Sequence, residues 1–211
     1  YAWRIVRLGM PVALLNSFFA VINLLMGRAA STYGGHIGLM TLTAGGQMEA
    51  IAWNTSQGFS TALSAFTAQN FAARKKERIQ RAYAITLRMT MLIGVLVTLL
   101  FVFWGSEVFS VIVPEQAAYE AGGVFLRIDG YSMILMMVEI STQGLFYGIG
   151  RTFPPALISI ACNLIRIPLA NGLAAGGLGV EGVWWAISLS SMLKGVVIYV
   201  WYKFLIFAAK V

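Results

Sequence analysis

Glu139 and Asp129 are carboxylates set in a stretch of sequence that is otherwise almost wholly apolar. With Ser132, Met136, Gln143 and Tyr147 they recur every three or four residues, which places all six on one face of a helix. A second stripe of the same kind is formed by Glu49, Trp53, Gln57, Ser60, Ser64 and Thr67. Ionisable groups in apolar surroundings are costly, so they either pair with a buried cation or take part in moving an ion or a proton. Two cations are available for pairing, Arg166 and Lys194, each in a further apolar stretch. Counting depth at about 1.5 Å per residue brings Asp129 level with Arg166 and Glu139 level with Lys194. Both couples read as structural charge pairs, and Glu139 reads equally as an ion-coupling carboxylate, with Asp129 as a second candidate. Other chemistry has little material. One histidine, His36, and one cysteine, Cys162, give no metal-ligand set and no disulfide framework. No nucleophile has an evident base beside it, so an enzyme is not expected, nor is an organic cofactor.

The elements that must carry these residues follow from composition. The 211 residues are 59% hydrophobic and only 11% charged, with a mean hydropathy of +0.78, beyond what a water-soluble domain carries. About 20 apolar residues cross a bilayer as a helix. Long apolar runs at about 8–27, 47–71, 82–104, 122–149, 154–173 and 180–205 predict six spans in one all-α polytopic domain over residues 1–211. Glycine, proline and charge mark the turns between them, as at Tyr33, Gly34 and Gly35, and at Pro114 and Glu115. Pro154 and Pro155 are expected to start a helix. Cations fall on one side of this scheme: Arg4 and Arg7, then Arg74, Lys75, Lys76, Arg78 and Arg81, then Arg151, then Lys203 and Lys210. Glu107, Glu115, Glu120 and Glu181 lie opposite, with Arg28 the basic exception. The bias predicts a multi-pass protein of the plasma (bacterial inner) membrane with both ends of the chain cytoplasmic. The net charge of +7 is accounted for by topology and calls for no nucleic-acid partner. Tyr1 in place of a methionine predicts a cut end rather than a natural start.

Two polar stripes admit two readings. They line a cavity together with Asn16 and Asn23 of the first span, or they are interhelical hydrogen-bonding contacts worth roughly 0.6–2 kcal/mol each. Gly58, Ala62 and Ala65, on another face of the second span, read as packing positions. Pro11 and Pro168 permit helix bends.

The order of these features resembles the carboxy-terminal half of the MATE family, the multidrug and toxic compound extrusion transporters of the multidrug/oligosaccharidyl-lipid/polysaccharide exporter superfamily. The resemblance rests on Leu8-Gly9-Met10-Pro11, on Gly58-Phe59-Ser60-Thr61-Ala62 leading to Ala68-Gln69-Asn70-Phe71-Ala72-Ala73, on Gly144-Leu145-Phe146-Tyr147-Gly148-Ile149-Gly150-Arg151-Thr152, and on Ile165-Arg166-Ile167-Pro168-Leu169 before Gly179-Val180-Glu181-Gly182-Val183-Trp184. It implies a six-helix lobe equivalent to helices seven to twelve of a twelve-helix transporter. The missing amino-terminal lobe would be the partner and membrane lipid the surroundings. Xenobiotic, amphipathic small molecules would be the substrates, and H+ or Na+ antiport the drive for multidrug efflux. Asn16, Asn23, Glu49, Trp53, Gln57, Ser60, Met136, Gln143 and Tyr147 would then line the substrate cavity. Carboxylates that some branches of the family carry would fall near Phe19 and Met136, neither of them acidic, and Glu139 lies one turn from the second position. The alternative within the superfamily is a flippase of lipid-linked oligosaccharide or peptidoglycan precursors, which would need several cations facing the cavity; Arg28, Arg127, Arg166 and Lys194 are the candidates.

Overall fold

The computed structural model describes the backbone of residues 2–208 and the side chains of residues 17–204. Helices make up the chain: α1 (Ala2–Ala72), α2 (Lys76–Ser110), α3 (Gln116–Gly148), α4 (Phe153–Leu173), a π-helical turn (Ala174–Leu178) and α5 (Val180–Ala208). The four helical segments after α1 are each long and apolar enough to cross a membrane, the π-helical turn prolonging α4. Prolines stand in the first turn of α4, where their missing N–H groups cost nothing.

α1 differs from the expected pair of spans joined by a loop over residues 28–46. Helix continues to a break at Gly35, whose φ of 60° and ψ of −147° only glycine adopts readily. The two arms then fold back on each other. A Cβ on Gly38 would stand 2.6 Å from the Ala30 carbonyl oxygen, and one on Gly27 would stand 3.5 Å from Leu39 Cδ1. Residues 30 and 38 lie about 12 Å apart along a straight helix, so α1 is a hairpin with arms 2–34 and 36–72. The tight turn replaces a loop because Gly35 alone supplies the reversal.

α3 is the axial helix. It packs against α1, α2 and α5, while α4 lies chiefly on α5. Glycines let the neighbours approach. A Cβ on Gly144 would stand 2.5 Å from the Ser60 carbonyl oxygen, and one on Gly148 would stand 2.7 Å from that of Ser64. This Gly-x-x-x-Gly spacing puts both glycines on the α3 face that meets the second arm of α1. On the opposite flank Gly195 of α5 meets the Leu135 carbonyl, and Phe109 of α2 covers Gly122. Hydroxyls add hydrogen bonds onto the same helix. Ser60 donates to the Ile140 carbonyl at 2.8 Å, Thr98 to Gly130 at 2.8 Å and Ser188 to Ile128 at 2.9 Å. Thr90 and Ser141 share a hydrogen bond of 2.8 Å, and Tyr83 and Thr142 one of 2.9 Å.

The packing face of the second arm is therefore the one carrying Ser56, Ser60 and Thr67, all buried. The small-residue face expected to pack is exposed instead, at Gly58, Ala62 and Ala65. Glycines on α3 already supply the close approach, so the facing positions of α1 are free to carry hydroxyls that reach α3 carbonyls.

Ser60 and Gly58 give a direct contrast. Gly144→Ala forces a methyl against the Ser60 backbone and should lower the stability of the full-length protein by about 1–3 kcal/mol, read as a melting temperature several degrees down in detergent. Gly58, with nothing within 4 Å of its Cβ position, should accept alanine within about 0.5 kcal/mol.

Candidate functional site

The charged side chains converge where α1, α3, α4 and α5 meet. Lys194 of α5 reaches Glu139 of α3, with Nζ 3.5 Å from Oε2, and both side chains are largely buried. The other carboxylate oxygen, Oε1, accepts a hydrogen bond of 2.9 Å from Gln143, one turn along α3. A buried carboxylate thus has both oxygens engaged, as the low dielectric requires. This is the one ion pair among the described residues.

Asp129 and Arg166 do not form the expected pair. Arg166, buried on α4, donates from Nε to Ser190 Oγ at 2.8 Å and from a terminal nitrogen to Ser191 Oγ at 3.3 Å, both on α5. Those hydroxyls face α4 across a helix pair already in contact, and they take the guanidinium that depth counting assigned to Asp129. Asp129 is 3% exposed, and its Oδ2 has no hydrogen-bond partner among the described residues. Glu49, half-buried on the second arm of α1, lies within electrostatic reach of Arg166, Lys194 and Glu139, and Asp129 within reach of Glu49 and Arg166. Five charges from four helices therefore share one interior region.

The nine residues expected to line a cavity separate into groups. Ser60 and Met136 are buried in helix contacts, 3% and 4% exposed, and line no opening. Gln143 and Gln57 are half-buried, while Asn23, Trp53 and Tyr147 lie on exposed surface. Asn16 falls outside the described side chains. The polar stripes are thus part packing face and part margin: on the second arm Ser60 and Thr67 turn to α3, and Trp53 turns outward. Arg28 and Arg127 are exposed. A shallow depression of about 300 Å³ on the α1 hairpin is lined by His36, Leu39, Met40, Thr43, Ala44 and Gln47, and none of the five charged residues lines it. Among the described residues no cluster of three His, Cys, Asp or Glu side chains could hold a metal ion.

Sequence reasoning missed Ser190 and Ser191 as the partners of Arg166. Their signal was present in the run Ser188-Leu189-Ser190-Ser191, where hydroxyls in an apolar helix need buried acceptors or donors.

A bundle of six helical segments, four of the helices long and apolar enough to cross a membrane and with charges gathered inside it, is the architecture of a polytopic membrane protein. Comparison with known proteins gives the class a family: residues 11–171 match the MatE family model, and the chain belongs to that family. Its members are transporters. Over 193 residues the chain is 22% identical to the probable multidrug resistance protein NorM of Thermotoga maritima, covering 86% of this chain and 39% of that protein. Solved structures share the fold. A MATE protein in its straight conformation superposes with a TM-score of 0.88 at 21% identity, covering 97% of this chain and 46% of the other. The inward-facing conformation of a multidrug resistance MATE family transporter of the MOP superfamily gives 0.87 at 21% identity, covering 97% and 48%. A MOP superfamily transporter from Pyrococcus furiosus, whose binding pocket is described as reversed in polarity, gives 0.86 at 22% identity, covering 97% and 46%. The chain spans less than half the length of these relatives.

Breaking the ion pair should be costly on one side and recoverable on both. Glu139→Leu leaves Lys194 a buried, unpaired charge, a loss of about 3–5 kcal/mol. Adding Lys194→Met should restore part of it, so the double variant melts higher than Glu139→Leu alone; a double variant that melts lower would show that the two side chains act independently.

Proposed function

We propose that this chain is one lobe of a secondary active multidrug exporter, completed by a second lobe, in which amphipathic organic compounds leave as H+ or Na+ enters by alternating access. The charged constellation carries the reading. Glu49, Asp129 and Glu139 set against Arg166 and Lys194 leave, as 3 − 2, one formal negative charge when all are ionised, and an interior region of that sign favours a cation. Glu139 is the assigned coupling residue because Lys194 and Gln143 hold its carboxylate where a proton or Na+ would compete with the ammonium. Asp129, with an oxygen unpartnered, is the second candidate.

The substrate cavity belongs between the lobes, bordered on this side by Asn23, Trp53, Gln57 and Tyr147, with Glu49 and Gln143 behind them and Asn16 from the first arm. The side on which the basic loops fall supports a reading with both ends of the chain in the cytoplasm and the protein in the inner membrane. The flippase alternative needs free cations for a pyrophosphate, and Arg166 and Lys194 are already engaged with Ser190, Ser191 and Glu139. That leaves Arg28 and Arg127, which favours the antiporter.

Efflux of a fluorescent cationic dye from vesicles holding the full-length protein, under separate Na+ and H+ gradients, tests the proposal. Glu139→Gln should cut gradient-driven efflux at least tenfold at equal protein content. Unchanged efflux would remove Glu139 from the mechanism.

A further inference from the structure

The outer face of α2 carries a feature that the interior charges do not explain. Ile85, Leu92, Leu96, Leu99 and Phe103 are exposed along it, between 44% and 66%, with Phe103 at 66% and Leu92 at 63%. At 100° per residue they fall on one side of the helix, and so do Arg78, Arg81 and Arg88. Arg81 and Arg88 are exposed, seven residues apart, and nearly in line. Two arginines thus continue an exposed apolar stripe.

Their depth is fixed by the sequence of the same helix. Between Arg88 and Glu107 no residue is charged, and the stretch 89–103, up to the break in helical geometry at Trp104, rises about 22 Å, most of the ~30 Å thickness of the hydrocarbon core. Phe103 and Trp104 are exposed at the far end, the level at which aromatic side chains mark a membrane interface. Arg88 therefore sits at the opposite boundary, beside the lipid phosphates, and Arg81 about 10 Å further out. Arg78 is drawn aside, its guanidinium 5.9 Å from the Phe66 ring centroid. Neither Arg81 nor Arg88 forms an ion pair among the described residues. A guanidinium at the edge of hydrocarbon seeks a bidentate oxyanion, and its planar fork matches a phosphate.

We propose that Arg81 and Arg88 hold the headgroup of an anionic phospholipid against α2, with its acyl chain along Leu92, Leu96 and Leu99. This rests on α2 spanning a bilayer and not on the direction or coupling of transport, so a protein without the proposed efflux would still bind the lipid.

Native mass spectrometry of the full-length protein, delipidated and then given equal phosphatidylglycerol and phosphatidylcholine, reads the site. The expected result is several-fold preferential retention of phosphatidylglycerol. Arg88→Gln and the Arg81→Gln/Arg88→Gln pair should bring it down to the phosphatidylcholine level, Arg88→Lys should lower it partly, and Arg151→Gln should leave it intact. No headgroup preference in the unsubstituted protein would overturn the proposal. So would a preference unchanged in Arg88→Gln, the outcome if a carboxylate of the second lobe covers Arg88, or one lost equally in Arg151→Gln, the outcome of diffuse attraction alone.

Discussion

A helix enclosed on nearly every side within a membrane has no water to turn to, and α3 is such a helix. Among lipid tails there is no hydrophobic force to drive one apolar helix onto another, so contact depends on close packing and on hydrogen bonds made between helices. α3 supplies both. Gly144 and Gly148 bring the α1 backbone near, Gly195 brings α5 near, and carbonyls of Gly130, Ile128 and Ile140 accept hydroxyls from three different helices. Without α3, α2 would be left chiefly with its contact to α1, and α5 chiefly with its contact to α4.

That constraint also decides where charge is allowed. Glu139 lies on the enclosed helix, so it must be satisfied inside the bundle, and Lys194 together with Gln143 does so. Arg166 sits outside the α3 contact, between α4 and α5, and finds Ser190 and Ser191 there. One interior region therefore holds one closed ion pair, one arginine bound by neutral oxygens and two carboxylates with looser engagement. Such a region has unequal parts, with Glu139 held at both oxygens and Asp129 left with one oxygen unpartnered.

Much of this was legible in the residues. Apolar runs of 20 or more located the helices after the first hairpin, and counting depth along them placed Lys194 at the level of Glu139, where the two meet. Counting depth failed for Asp129 and Arg166 because it fixes height and says nothing of azimuth; Arg166 points to α5 and not to α3. The turn of the α1 hairpin was rightly placed at Tyr33, Gly34 and Gly35, but its length was misjudged, for a different reason. Glycine and polar residues over 28–46 resemble a loop, yet a helix tolerates them when its partner arm packs close, and Gly35 alone reverses the chain. Small residues at Gly58, Ala62 and Ala65 suggested a packing face, but periodicity shows only that a face exists, and the hydroxyl-bearing face at Ser56 and Ser60 is the one that touches α3. The same ambiguity divided the expected cavity residues into Ser60 and Met136 within the core and Trp53 and Tyr147 at the surface.

The central claim, that α3 is the axis onto which α1 and α2 are pinned, is tested most directly by oxidative cross-linking in membranes. In the full-length protein with Cys162 replaced by alanine, cysteines at Ser56 with Met137 and at Thr90 with Ser141, two pairs of side chains in direct contact, should each form a disulfide rapidly. A cysteine at the outward-facing Gly58 paired with one at Met137 should not. Absence of both links, or equal linking from Gly58, would contradict the account.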